Sequence, residues 1–259
     1  MIKAIFIDVD GTLLSHTQHA VPKSSECAIK RCRSKGIQVF MSTGRNPYEL
    51  KKLPLNHLDF DGYVLVNGQL CLNEKKQPVF KQPFEEDAMK QFVSWFEAKQ
   101  FPLAFVEADR IYINLLNDLV VKAERMISSD PPPLGSYAGG EVYQAITYFP
   151  LGKETAFDVP KGYKMTRWND YGVDIIAENA GKVIGIEAFC KLNHWRREEL
   201  MAIGDAQNDL DMLRYVGVSV AMGNAKEEVK AACDYVTDDI DANGLAKAIE
   251  YYEKQGCFD

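Results

Sequence analysis

The chain has 259 residues, 46% hydrophobic and 26% charged, the composition of an ordinary globular protein long enough for one large domain or two modest ones. Its net charge of −7 argues against nucleic acid or an anionic membrane as partner, since phosphate backbones are bound by clustered Lys and Arg. Cys27, Cys32, Cys71, Cys190, Cys233 and Cys257 form no Cys-x-x-Cys pair, and no apolar run suits a signal or a membrane span, so a cytoplasmic protein without zinc or disulfides is expected.

The run Ala4-Ile5-Phe6-Ile7 predicts a buried strand that stops at Asp8-Val9-Asp10-Gly11-Thr12. Strand positions two apart project to one side, roughly 6 to 7 Å apart, and carboxylates that close are costly unless a cation lies between them. Taken alone, Asp-Gly is simply a turn with a solvated acid. Ala28, Ile29 and Cys32 then mark a helix over 24–35, stopped by Gly36, and residues 37–41 form a second buried strand. That strand ends at Ser42-Thr43-Gly44-Arg45, and Asn46-Pro47 supplies an N-cap and first-turn proline for a short helix. A third strand at 62–66 closes on the turn Asn67-Gly68.

The middle of the chain follows another pattern. Met89, Phe92, Val93 and Phe96 share one helical face, and residues 103–107 and 111–115 form a hairpin. A helix at 119–127, a proline-rich loop at 131–133 and strands at 142–149 and 172–176 complete an α+β unit over 83–177. From Lys182 the βα alternation returns, with strands at 200–203 and 217–221 and helices from 182, 209, 225 and 244. The domains expected are thus 1–82 plus 178–259, and 83–177.

A second acidic cluster, Gly204-Asp205-Ala206-Gln207-Asn208-Asp209, also follows an apolar strand. Alone, Asn208 and Asp209 would cap a helix. Together with Asp8 and Asp10, the cluster with Asp205 at the strand end supplies the hard oxygen ligands that Mg²⁺ prefers, leaving room for water and a phosphate. Thr43 and Gly44 form a nest for an anion, and Lys182 can bring an ammonium to the same edge, although a lone lysine is ordinarily a solvated surface residue.

Asp-x-Asp-Gly-Thr at 8–12, Thr-Gly-Arg at 43–45, Lys182 past an insertion and Gly-Asp-x-x-Asn-Asp at 204–209 resemble the haloacid dehalogenase superfamily. The resemblance extends to its Cof-like sugar-phosphate phosphatases, which Met222-Gly223-Asn224-Ala225 and residues 237–244 also match. It implies an α/β fold in which a Rossmann-like parallel sheet, with the strands ending at Asp8 and Asp205 as neighbours, carries an inserted α+β cap domain closing over the site. It implies Asp8 as nucleophile, Asp10 as general acid and base, Thr43, Gly44 and Asn208 as phosphate contacts, and Lys182 as charge stabiliser and phosphate contact. Mg²⁺ would be held by Asp8, the Asp10 carbonyl and Asp205, with Asp209 orienting Lys182. Ser42 and Val183 depart from the usual pattern of relatives, which leaves open whether the Ser42 or the Thr43 hydroxyl meets phosphate. Arg45, Arg167 and Trp168 are candidate specificity residues that packing explains equally well. The expected activity is Mg²⁺-dependent hydrolysis of a small phosphorylated substrate through an aspartyl-phosphate. A phosphomutase, or a sugar-phosphate-binding module without catalysis, are the alternatives.

Overall fold

A computed structural model describes residues 1–127, 129–153 and 158–258. The chain divides into two compact units, one of Met1–Arg45, Leu50–Lys81 and Gly181–Asp259, the other of Asn46–Glu49 and Gln82–Ala180. In order it forms β1 (Ala4–Asp8), α1 (Lys23–Ser34), β2 (Gln38–Ser42), α2 (Pro47–Leu50), β3 (Gly62–Leu65), β4 (Leu70–Asn73) and β5 (Pro78–Lys81). Then come α3 (Glu86–Ala98), β6 (Leu103–Glu107), β7 (Ile111–Ile113), α4 (Asp118–Met126), β8 (Val142–Tyr148), β9 (Tyr163–Arg167) and β10 (Gly172–Ala177). The return comprises α5 (Lys182–Asn193), β11 (Leu200–Gly204), α6 (Leu210–Tyr215), β12 (Val218–Ala221), α7 (Glu227–Lys230), β13 (Tyr235–Val236) and α8 (Gly244–Lys254).

In the first unit, the described residues form one sheet ordered β13-β12-β11-β1-β2-β3-β4-β5. Pairing is parallel from β13 to β3, whereas β4 and β5 add antiparallel at the edge. Alternation along β1 feeds two cores: Ile5 and Ile7 enter a cluster with Ala28, Ile29, Leu245 and Ile249 of α1 and α8, while Ala4 and Phe6 enter one with Ile186, Phe189 and Met212 of α5 and α6. Phe6 stacks on Phe40 at 4.8 Å, and Phe40 meets Phe189 at 4.6 Å. Burial of each such ring stabilises the sheet by about 1.5–3 kcal/mol. Because β1 lies between β11 and β2, the winding reverses there, and side chains at the C-terminal ends of β1 and β11 share a crevice.

The second unit has an antiparallel sheet ordered β7-β6-β8-β10-β9. Met89, Phe92 and Phe96 of α3 pack on Phe105, Ala145 and Ile175. Asn46 belongs to this unit because its buried side chain donates to the carbonyls of Glu107, at 2.7 Å, and Arg110. Asn46 and Glu49 also accept each other's main-chain N–H, a reciprocal cap for α2. The periodicity had placed these residues before the insertion; their hydrogen bonds put them in the second unit.

Candidate active site

The candidate catalytic, phosphate-binding and metal-binding residues lie in the first unit, around the ends of β1, β2 and β11 and the start of α5. At the centre is Lys182, whose side chain has 0% exposure and whose ammonium donates to Asp8 Oδ1 at 2.5 Å, Asp209 Oδ1 at 2.5 Å and the Ser42 carbonyl at 2.9 Å. These three partners use all three of its N–H bonds. The start of α5 is held in place from outside: Val183 N–H donates to Asp211 Oδ2, and a Cβ on Gly181 would stand 2.2 Å from that same oxygen, so a side chain there would displace the Asp211 carboxylate. Burial by itself would lower the Lys182 pKa, but the carboxylates of Asp209 and Asp8 outweigh it and hold the ammonium above its ordinary range.

Asp209 is wholly buried and fully engaged. One oxygen meets Lys182, and the other accepts the N–H groups of Asp205 and Ala206 at 3.0 and 2.9 Å. Asp205 is bound at Oδ1 by the Thr12 hydroxyl at 2.8 Å. Burial, reinforced by Asp209, pushes the Asp205 carboxyl up to about 6; burial and then Asp209 push Asp8 well above the usual carboxylate range, which Lys182 only partly offsets. Asp8, Asp205 and Asp209 each present a carboxylate oxygen within 4.8 Å of the others. Since Asp209 is spent on Lys182 and the main chain, Asp8 and Asp205 are the pair that could hold a cation, and the upward push on both is the strain a hard cation would relieve.

Asp10 lies apart from that trio. After Asp8 the chain leaves the extended form: the Val9 carbonyl accepts the N–H groups of Leu13 and Leu14, and Gly11 has a φ of +87°. A Cβ there would meet Asp205 Oδ2 at 2.4 Å, so the loop needs glycine both for its conformation and for the close approach. The Asp10 carboxylate turns to Arg45, which donates to it twice, Nε to Oδ2 at 2.7 Å and an Nη to Oδ1 at 2.9 Å. Both oxygens of the Asp10 carboxylate are thus engaged by Arg45.

Thr43 is buried, and its hydroxyl accepts the N–H of Arg45 at 3.2 Å. The Ser42 hydroxyl is buried without a hydrogen-bond partner. Gly44 lies against Asn67, whose amide oxygen accepts from Asn208 Nδ2 at 3.3 Å, so the loop after β2, the β3 turn and the acidic cluster meet. Val66, Asn67 and Gly68 all have positive φ, and +49° at a β-branched Val66 is backbone strain stored beside these groups. Thr12, Asn67 and Asn224, whose amide reaches Asp205 Oδ2, stand in motifs that the sequence marks but receive no site role from it, since lone polar residues in loops carry no periodic signal. Arg167 and Trp168 lie in the second unit, where Arg167 covers the Phe149 ring and Trp168 packs on Gly172 and Tyr148.

The model of the haloacid dehalogenase-like hydrolases matches residues 5–132 and 144–249. The Bacillus subtilis protein YkrA is 28% identical over 251 residues, 96% of each chain. The structure of BT1666 from Bacteroides thetaiotaomicron, described among phosphatases of this superfamily, is 29% identical with a TM-score of 0.88, covering 98% of this chain and 96% of that one. The subclass IIB sugar phosphatase BT4131 is 32% identical with a TM-score of 0.81, covering 97% and 99%. This chain belongs to the haloacid dehalogenase-like hydrolase family and is an enzyme of its phosphatase branch.

Proposed function

We propose that the chain is a Mg²⁺-dependent phosphatase that hydrolyses small phosphorylated metabolites, sugar phosphates foremost, through a phosphoryl-aspartate on Asp8. The observation that carries this reading is the buried line Asp8–Lys182–Asp209 beside Asp205: a carboxylate at a strand end, with a fixed ammonium on one side and unbalanced negative charge on the other. Asp8, Asp205 and the Asp10 carbonyl would hold Mg²⁺, which when bound draws charge from the phosphoryl oxygens.

An Asp8 carboxylate oxygen attacks phosphorus, the ester P–O bond breaks, and Asp10, released by Arg45 and protonated in the substrate complex, gives its proton to the departing alkoxide. Asp10, now ionised, takes a proton from water as that water attacks the phosphoryl group; the Asp8–phosphorus bond breaks and inorganic phosphate leaves. Lys182 stays protonated throughout and offsets charge on Asp8 and on the group in transfer. Asp209 orients Lys182, the main-chain N–H of Gly44 with Thr43 and Asn208 hold the phosphoryl oxygens, and Arg45 aims the Asp10 carboxylate. The second unit, acting as a cap, selects the leaving group; sugar phosphates come first because one relative is described as a sugar phosphatase.

The test separates the two carboxylates. Asp10→Asn keeps the carbonyl but carries no proton, so with an activated aryl phosphate it is phosphorylated and then stalls, whereas Asp8→Asn forms no adduct. Mass spectrometry of the quenched intact protein, followed by peptide mapping, is expected to find phosphate on Asp8 in the Asp10 variant. An adduct on Asp8→Asn, or on any other residue, refutes the assignment.

A further inference from the structure

Asn224 follows β12 in a loop whose path is fixed by its main chain, Met222 N–H to the Gly204 carbonyl and Ala225 N–H to the Met222 carbonyl, both at 3.0 Å. Its side chain reaches three separate segments. Nδ2 donates to the Gly11 carbonyl at 2.9 Å and to Asp205 Oδ2 at 3.3 Å, and Oδ1 accepts the N–H of Ile240 at 3.0 Å. Two of these partners only accept and the third only donates, so the amide has a single workable orientation.

The consequence falls on Asp205. Thr12, just past Gly11, holds Oδ1, and Asn224 ties Oδ2 to the carbonyl of Gly11. The carboxylate is thereby clamped from both sides to the loop that carries Asp10. An exposed asparagine could serve only as loop cement, but cement needs no bond to the acid of an ion site. A cation held between the ends of β1 and β11 senses the width of that gap. Mg²⁺ demands near-ideal octahedral geometry at short distance, whereas Ca²⁺ accepts a wider and looser shell.

We propose that Asn224 is a positioning residue that fixes the spacing of Asp205 from the β1 loop, and so makes the site prefer Mg²⁺ over Ca²⁺. The inference rests on the ion site proposed above. Its test needs no turnover: the melting temperature of metal-free protein is followed through separate Mg²⁺ and Ca²⁺ titrations, giving an apparent affinity for each ion. Asp241→Asn is the control, because Asp241 ties Ser15, Thr17 and Gln18 to the same side of the molecule without touching Asp205.

Asn224→Ala is expected to weaken Mg²⁺ about 10- to 100-fold, the usual cost of losing a partner of a metal ligand, with a clearly smaller loss for Ca²⁺. Asp241→Asn should keep the wild-type affinity for both. Equal Mg²⁺ affinity in wild type and Asn224→Ala overturns the inference and leaves the ion site standing, as does an equal loss of both ions. Absence of saturable Mg²⁺ binding by the wild type overturns both. Asn224→Ser is read by the same criteria should the alanine variant not fold.

Discussion

Replacing Lys182 by methionine probes the centre of the site. The substitution preserves much of the side-chain volume but removes an ammonium with 0% exposure that donates to two carboxylates and a carbonyl. Breaking a buried ion pair from one side leaves uncompensated charge and costs about 3–5 kcal/mol. For a chain of this size that lowers the melting temperature by roughly 6–20 °C, at about 2–4 °C per kcal/mol. The penalty depends on pH, with a sign set by Asp8. Its carboxyl is already pushed up by burial and Asp209, and losing Lys182 pushes it further. Between about pH 4 and that raised value, the folded variant binds more protons than its unfolded chain, so its stability falls as pH rises. Urea unfolding at pH 5 and pH 8 should give a larger deficit against wild type at pH 8, with turnover reduced at least about 10²-fold at both. Equal stability of variant and wild type at pH 8 would refute the account of Lys182 as the charge that permits two buried carboxylates.

Excess chelator should abolish phosphatase turnover, and Ca²⁺ should restore it poorly in place of Mg²⁺; full activity in chelator would remove the ion from the reading. A different pH effect is expected in the second unit, where burial, then Glu49 and also Glu124, hold the Asp174 carboxyl up to about 8. An unfolded Asp ionises near about 3.9, so this group's contribution to stability is present below that value and is lost as pH rises towards 8, by up to about 1.4 kcal/mol per unit. Asp174→Asn should therefore gain on wild type in urea unfolding between pH 5 and pH 8, and a constant difference across that range would show Asp174 already ionised at pH 5. Gly11→Ala should cost about 1–2 kcal/mol in backbone strain alone and should also displace Asp205, read as lost Mg²⁺ affinity beyond the loss of stability.

The strands that carry the site were legible because each is an apolar run stopping at polar residues: β1, β2, β3 and β11 fall where the pattern places them, and Asp8 and Asp205 end neighbouring strands. The strands missed are short, exposed or lacking in such a pattern. β4 is an apolar run of only three residues, Leu70-Cys71-Leu72, one residue past the Asn67-Gly68 turn, β5 is largely exposed, and β13 has only two residues. β9, Tyr-Lys-Met-Thr-Arg, has no fully buried position and lies at a sheet edge, where lysine and arginine discourage further pairing. Arg45 illustrates the limit at the site itself. Its place in Thr-Gly-Arg suggests specificity or packing, but only the three-dimensional path of the loop after Asp8 brings Asp10, 35 positions away, into its fork.

Charge balance gives a reason for the site to be built this way. Arg45 answers Asp10, and Lys182 is shared by Asp8 and Asp209, whereas the side-chain donors on Asp205 are the neutral groups of Thr12 and Asn224. With all four carboxylates ionised, their charge against the two cations leaves two negative charges, the amount that one divalent cation would balance. Neutral donors fix the orientation of Asp205 without cancelling its charge, so its attraction for a cation would be kept for the proposed ion. A lysine at position 12 or 224 would satisfy the same oxygens and remove that attraction. The amide and the hydroxyl are thus the chemically sensible choice where a carboxylate must be held still and remain negative.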